Sequence, residues 1–132
     1  MVVIMGTYKG GATHHHSISE NLGDLSSNFD YNGGFFGTPG NNNSKSVRHI
    51  ASSDPSETAK KFYDIAAHGG IEESIIGKDG KVKGFKCDMA DGSVITWRNV
   101  SSSDGSPAVD INIQRSTDSG GIRQQKIHFI KG

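Results

Sequence analysis

The stretch that decides the fold is residues 54–70, DPSETAKKFYDIAAHGG, because both ends of a helix can be recognised in it. Asp54 is a good N-cap, and Pro55 suits the first helical position, where a backbone N–H has no partner in any case. Glu57 stands three residues after the cap and completes a capping box. Gly69-Gly70 then supplies a left-handed stop. The stretch therefore predicts one helix with well-defined ends.

One side of this helix is apolar. Residues spaced by the helical repeat form the stripe, with Ile65 at its margin: Ala59, Phe62, Tyr63 and Ala66. The opposite side is charged, so we expect the stripe to pack on a sheet.

The apolar period changes from 3.6 to 2 after the helix, which predicts strands. Asp79-Gly80 and Asp91-Gly92 are hairpin signals. The predicted strands are Val82 to Met89, Val94 to Val100, Ala108 to Gln114 and Gln124 to Ile130, with Ile71 to Ile76 as an optional edge strand. We therefore predict an α+β fold, with one helix packed on an antiparallel sheet of four strands, or five with the edge strand.

Strand alternation assigns the two faces of the sheet. One apolar face, expected to meet the helix, consists of Ile95, Trp97, Val109, Ile111, Ile113, Ile127 and Phe129. A three-residue loop, Ala90-Asp91-Gly92, with Gly92 in the left-handed position of a bulge, would add Phe85, Cys87 and Met89 to that face. We favour this register because it buries more apolar surface than a two-residue loop.

The N-terminal part of the chain has a different composition. Residues 6–46 are dominated by Gly, Asn, Ser and Thr and show no sustained period. The apolar opening stops at Gly6, which is too short for a signal peptide or a membrane span. We predict that residues 1–50 are an irregular Gly/Asn-rich arm, flexible or loosely docked, and that residues 51–132 are the α+β domain, with no membrane partner.

The composition restricts the classes of function. Lys plus Arg (14) equals Asp plus Glu (14), so the chain lacks the overall basic excess that would indicate a nucleic-acid partner. A single cysteine, Cys87, excludes an internal disulfide. No Gly-rich stretch matches a nucleotide-binding fingerprint. The run His14-His15-His16 suggests zinc, but structural zinc sites usually need four spaced ligands, so we expect no metal site and no cofactor.

The opposite parity of the last three strands gives a polar face. It presents Thr96, Arg98, Asp110, Asn112, Gln114, Lys126, His128 and Ile130. The His, Lys and Arg side chains of this face are groups that can cleave RNA without a metal. The 2′-OH of RNA is the nucleophile, so the enzyme supplies only an acid, a base and cations. His128 would be the acid or base, and Arg98 and Lys126 would neutralise the phosphate. An inert solvated face is the alternative.

Further residues complete this candidate site. Asp110 or Asn112 would orient the imidazole, and the hydroxyls of Ser101, Ser102 and Ser103 would contact a phosphate. With Thr96, these residues form the expected substrate-binding set. His49, just before the helix, is a candidate for the complementary acid or base.

Four segments resemble the C-terminal toxin modules of bacterial polymorphic and contact-dependent toxins. They are Asp54 to Phe62, Asp91 to Arg98, Ser101 to Ile111 and Lys126 to Phe129. Such modules often share a barnase-like, colicin-like or RelE-like fold, and many are ribonucleases that cut tRNA or mRNA.

The resemblance implies a metal-independent endoribonuclease that uses Arg98, the Ser101–Ser103 loop, Lys126 and His128. It also implies secretion or delivery into a target cell, action in the cytoplasm on RNA such as tRNA, and a cognate immunity protein as partner. We expect a monomer. The alternative is a non-catalytic binding or adhesion module that uses the polar face. A metal-dependent nuclease is disfavoured because no carboxylate cluster suits a divalent ion.

Overall fold

The computed structural model describes residues 8–40, 45–100, 105–114 and 119–132. Besides a 3-10 turn at Lys9–Gly11, the helices are α1 (Ile18–Asn28) and α2 (Pro55–Ala66). The strands are β1 (Tyr31–Asn32), β2 (Phe35–Phe36), β3 (Thr38–Pro39), β4 (Val47–Ser52), β5 (Ile71–Ile76), β6 (Val82–Asp88), β7 (Val94–Arg98), β8 (Ala108–Asn112) and β9 (Gln125–Lys131). The α+β class is confirmed.

The sheet is larger than predicted. Within the described residues it has seven strands in the order β3-β4-β9-β8-β7-β6-β5, and β1 and β2 form a separate two-stranded sheet. Strands β5 to β9 are the five that the sequence predicts. The predicted number of four or five strands is too low because β3 and β4 of the N-terminal part also belong to this sheet. Strand β4 pairs with β9 in the parallel direction.

Helix α2 is formed as predicted. Asp54 accepts a hydrogen bond from the backbone N–H of Glu57 at 3.2 Å, and Pro55 occupies the first turn. Gly69 has a φ of +79°, which is the left-handed stop. The four stripe residues of the helix are fully buried: Ala59, Phe62, Tyr63 and Ala66.

The register of the sheet confirms the predicted faces. Phe85 lies opposite Trp97 and Cys87 opposite Ile95, while the N–H of Met89 donates to the carbonyl of Ser93. Gly92 has a φ of +85°, as the bulged three-residue loop requires. Helix α2 covers this apolar face, so the other face of the sheet is left for polar side chains.

The prediction of an irregular arm is wrong for residues 18–28, which form α1. Ser17 donates its backbone N–H to the Glu20 carboxylate at 3.2 Å, and Ile18 and Leu25 on one side of the helix are fully buried. Buried Asn21 donates its amide to the carbonyls of Ala66 at 2.9 Å and His68 at 2.8 Å. The helix was missed because its apolar stripe is short and interrupted by polar residues and Gly23.

Two buried polar side chains hold the segment between α1 and β4 against the sheet. Gln125 accepts from the N–H of Phe36 at 2.8 Å and donates to the carbonyl of Gly34 at 2.8 Å. Arg48 donates to the carbonyls of Phe36 and Gly37, each at 3.0 Å. The expected boundary between residues 50 and 51 falls inside β4, so the sheet is continuous across it.

Candidate active site

The register of four neighbouring strands places the polar side chains in rows across the face opposite α2. In one row, Thr96 of β7 lies opposite Asp110 of β8, and Asp110 lies opposite Lys126 of β9. In the next row, Arg98, Ala108, His128 and His49 follow one another on β7, β8, β9 and β4. The predicted polar face is therefore assembled from four strands.

The two histidines of the second row are neighbours. Their ring centroids are 6.1 Å apart and their planes are nearly perpendicular, at 82°. His128 is buried, with 4% of its surface exposed, and His49 is half-buried. Residues in register on adjacent strands project from the same side of a sheet, which is why the parallel pairing of β4 with β9 brings these rings together.

Ser106 contacts the imidazole of His128. Its hydroxyl oxygen lies 3.0 Å from Nδ1, and the tautomer of the ring decides which atom donates. The predicted role of Asp110 or Asn112 in orienting the imidazole stays a prediction. Asp110 lies opposite Lys126, and Asn112 lies one row further along, opposite Val94.

Asp110 is flanked by positive charge. Burial raises the pKa of this carboxyl above its usual value, while the charges of Lys126 and Arg98 on the two neighbouring strands lower it in part. Arg98 is exposed, and β8 separates its strand from β9, a distance of about 10 Å. Arg98 is therefore placed beside Asp110, whereas Lys126 is two residues from His128 on the same strand.

The residues predicted to bind substrate differ in their exposure. Thr96 is half-buried beside Asp110, and Asn112 is exposed. Ser101, Ser102 and Ser103 lie outside the described residues. The site thus has His128, His49 and Lys126 at its centre, with Asp110, Thr96 and Arg98 along one side.

An open pocket of about 470 Å³ adjoins His49 at the edge of the sheet. Strand β3 covers only part of β4, so the last residues of β4 border this pocket together with the end of α1 and the start of α2. Its lining offers hydrogen-bonding groups and one aromatic ring: Asn28, Phe29, Asp30, Thr38, Ser52 and Thr58. Sequence reasoning missed the pocket because it depends on where α1 ends.

In the described part of the chain, three side chains that together could hold a metal ion lie elsewhere. They are His14, His16 and Glu20, at the start of α1. Sequence reasoning counted only the histidine run and missed Glu20. The signal that would have found it is Ser17 followed three residues later by Glu20, which is a capping box.

Comparisons with known proteins identify no relative. The scan against protein-family models, the search of curated proteins and the search of solved structures each gave no match to this chain. Among the described residues, no helix is long and apolar enough to cross a membrane. The geometry of the polar face is therefore the feature of this chain that points to a function.

Proposed function

We propose that this chain is the toxin domain of a bacterial polymorphic toxin and acts as a metal-independent endoribonuclease. The observation that carries the proposal is the pair His49 and His128, with ring centroids 6.1 Å apart on one sheet face. Lys126 stands beside them on β9. Two imidazoles and an ammonium are a sufficient set for general acid–base cleavage of RNA.

The proposed reaction is a transesterification. One histidine removes the proton from the 2′-OH, whose oxygen attacks the adjacent phosphorus. The other histidine donates a proton to the departing 5′-oxygen as its bond to phosphorus breaks. The products are a 2′,3′-cyclic phosphate and a 5′-hydroxyl, and Lys126 stabilises the charge on the non-bridging oxygens.

The geometry around His128 supports its proposed role. The contact with the Ser106 hydroxyl at 3.0 Å limits rotation of the ring, and burial excludes much of the water that would compete for its protons. His49 is more exposed and borders the open pocket. We therefore assign the scissile phosphate to the space beside both rings and the neighbouring base to the pocket at the edge of the sheet.

The balanced total charge is compatible with this proposal because the cations that matter are local. Lys126 and Arg98 lie on the polar face, and Lys86 of β6 lies on the same side, opposite Thr96. An acidic immunity protein that covers this face is the partner we propose. We propose RNA such as tRNA as the substrate, delivery into the cytoplasm of a target cell, and action as a monomer.

The proposal is tested with a short synthetic RNA and purified protein in excess chelator. We expect cleavage that leaves 2′,3′-cyclic phosphate ends, and no cleavage when the 2′-OH at the cut position is replaced by hydrogen. His128→Ala and His49→Ala should each reduce kcat by about 100-fold or more, the usual contribution of one acid or base. His14→Ala is the matched control, since this histidine is 61% exposed and outside the site.

The pH profile separates catalysis from simple RNA binding. With one histidine protonated and the other neutral, kcat/KM should rise and then fall with pH, and each single variant should lose one limb. Cleavage abolished by the chelator, or equal activity in His128→Ala and wild type, would contradict the proposal.

A non-catalytic binding module is the second candidate. Ile76 of β5 and its partner Val82 of β6 are exposed, at 55% and 49%. Among the described residues β5 is an edge strand, and such a strand offers its backbone to a partner. This reading predicts that RNA remains intact with wild type and that His128→Ala does not alter the protein's effect on cells.

A further inference from the structure

We propose that His14, His16 and Glu20 form a binding site for a divalent transition metal, with Zn²⁺ as the best fit. One ring nitrogen of each histidine and one carboxylate oxygen of Glu20 lie within 4.8 Å of one another. The site is beside the turn between β6 and β7, in the layer of the helices, whereas His49 and His128 are on the sheet face opposite α2.

The two histidines lie side by side in the segment before α1. Residues 14–16 belong to no helix or strand, and the chain bends at His14. The rings of His14 and His16 stack with centroids 4.3 Å apart. His15 points elsewhere, because its Nε2 lies 2.9 Å from the carbonyl of Asp88 and its ring stacks on Tyr8.

Glu20 is already aimed at these rings. Its Oε1 accepts the N–H of Ser17 at 3.2 Å, so that Oε2 faces the histidines. Oε2 lies 2.9 Å from His14 Nε2 and 3.9 Å from His16 Nδ1. Ligands about 2.1 Å from a tetrahedral zinc ion are about 3.4 Å apart, so a shift of the exposed His14 ring is enough to admit the ion.

The ring of His16 is held in place before any ion arrives. Its Nδ1 donates to Asn21 Oδ1 at 2.9 Å, and the amide of Asn21 is itself fixed by two backbone carbonyls, so an ion bound through Nδ1 would replace this proton. The backbone of His16 donates to Gly69 and accepts from Ala90. Such support orients a ligand before the metal arrives and reduces the ordering cost of binding.

The ligand set selects the class of ion. Two imidazoles and one carboxylate are a borderline donor set that favours Zn²⁺ and its transition-metal neighbours over Mg²⁺ and Ca²⁺, which prefer oxygen. Three protein ligands leave a fourth position for water. Since two ligands precede α1 and one belongs to its first turn, the bound ion would fasten the start of α1 to the segment before it.

The test is a calorimetric titration of the full chain with Zn²⁺. We expect one saturable site, with affinity lowered at least tenfold in His14→Ala and in Glu20→Gln. Glu20→Gln keeps an oxygen that can accept from Ser17 N, so it removes the anionic ligand without removing the cap. His15→Ala is the matched control and should bind Zn²⁺ as wild type does.

Thermal unfolding gives a readout that does not depend on activity. Zn²⁺ should raise the Tm of wild type and His15→Ala but not that of His14→Ala. Equal loss in His14→Ala and His15→Ala, or binding that never saturates, would overturn the proposal, since either result means unspecific affinity of a histidine run. RNA cleavage by His14→Ala should be unchanged, so the two proposals fail separately.

Discussion

Asp110 carries a stability cost that a functional role would explain. Burial raises its pKa in the folded chain, so the folded state holds this proton to higher pH than the unfolded state does. The free energy of unfolding therefore falls as pH rises from the unfolded value near 3.9 through the folded pKa. Asp110→Asn should raise the Tm at pH 7, and the gain should disappear in acid.

Asp64 is the control, because its pKa is shifted in the opposite direction. Burial acts to raise its pKa, but hydrogen bonds from Lys60 and Lys9 and their charges prevail and lower it. Its stabilisation is present at neutral pH and is lost as pH falls through the folded pKa, so Asp64→Asn should lower the Tm at pH 7. Thermal unfolding of both variants from pH 3 to pH 8 checks the pair. A lower Tm in both at pH 7 would contradict the assignment for Asp110.

For single residues, the sequence predicts which face of the sheet a side chain occupies better than it predicts which residues that side chain contacts. Parity alone placed His128, Lys126 and Asp110 on one side, because alternation within a strand is a local property. The contact of Ser106 with His128 was not predictable, since it depends on the path of the loop before β8. The placement of His49 beside His128 was not predictable either, because it depends on where β4 joins the sheet, and no local sequence pattern contains that information.

The strand and hairpin elements of the N-terminal part depend on Gln125. Its amide satisfies backbone groups of Phe36, Gly34 and Arg123 inside the protein, and only 1% of its surface is exposed. Gln125→Leu removes all three bonds and leaves the N–H of Phe36 and the carbonyl of Arg123 without this partner, which should lower the free energy of unfolding by about 2–4 kcal/mol. Urea denaturation measures the change.

Gln124→Leu is the matched control for this element, because the side chain next to Gln125 is exposed. It should alter stability by less than about 0.5 kcal/mol. Equal effects of the two substitutions would mean that the buried amide does not hold the β1–β3 segment.

Elements with strong end signals were predictable and the others were not. Helix α2 has an N-cap, a proline and a glycine stop around a regular apolar stripe, and the β6–β7 loop follows from which register buries Phe85 and Met89. Strand β4 borders a parallel neighbour from the far end of the sequence. Parallel pairing lacks the short turn that reveals a hairpin, so nothing near β4 in the sequence indicates its partner.

The molecule as a whole shares one core between its N-terminal and C-terminal parts. Phe62 of α2 contacts the rings of Phe29 and Phe36 from the N-terminal part and the ring of Phe129 from the C-terminal part. Ile18 and Leu25 are also fully buried. Each such side chain contributes about 1.5–3 kcal/mol by burial, and the net stability of a domain is only about 5–15 kcal/mol.

A fragment of residues 53–132 should therefore not fold cooperatively. It retains α2 and β5 to β9 but exposes Phe62 and the β9 edge, which the full chain covers. Near-UV circular dichroism and urea denaturation of the fragment, beside the full chain, measure this. A cooperative transition in the fragment would instead support the arm-and-domain division predicted from composition.

The parallel ladder between β4 and β9 also affects when the proposed site can exist. His49 and His128 are 79 positions apart (128 − 49), so a ribosome translating at about 5–20 residues per second makes one of them seconds before the other. A nascent chain interrupted before β9 has only one of the two proposed catalytic imidazoles and lacks the strand that β4 pairs with. Under the proposed function, aborted translation products would be harmless to the cell that makes them.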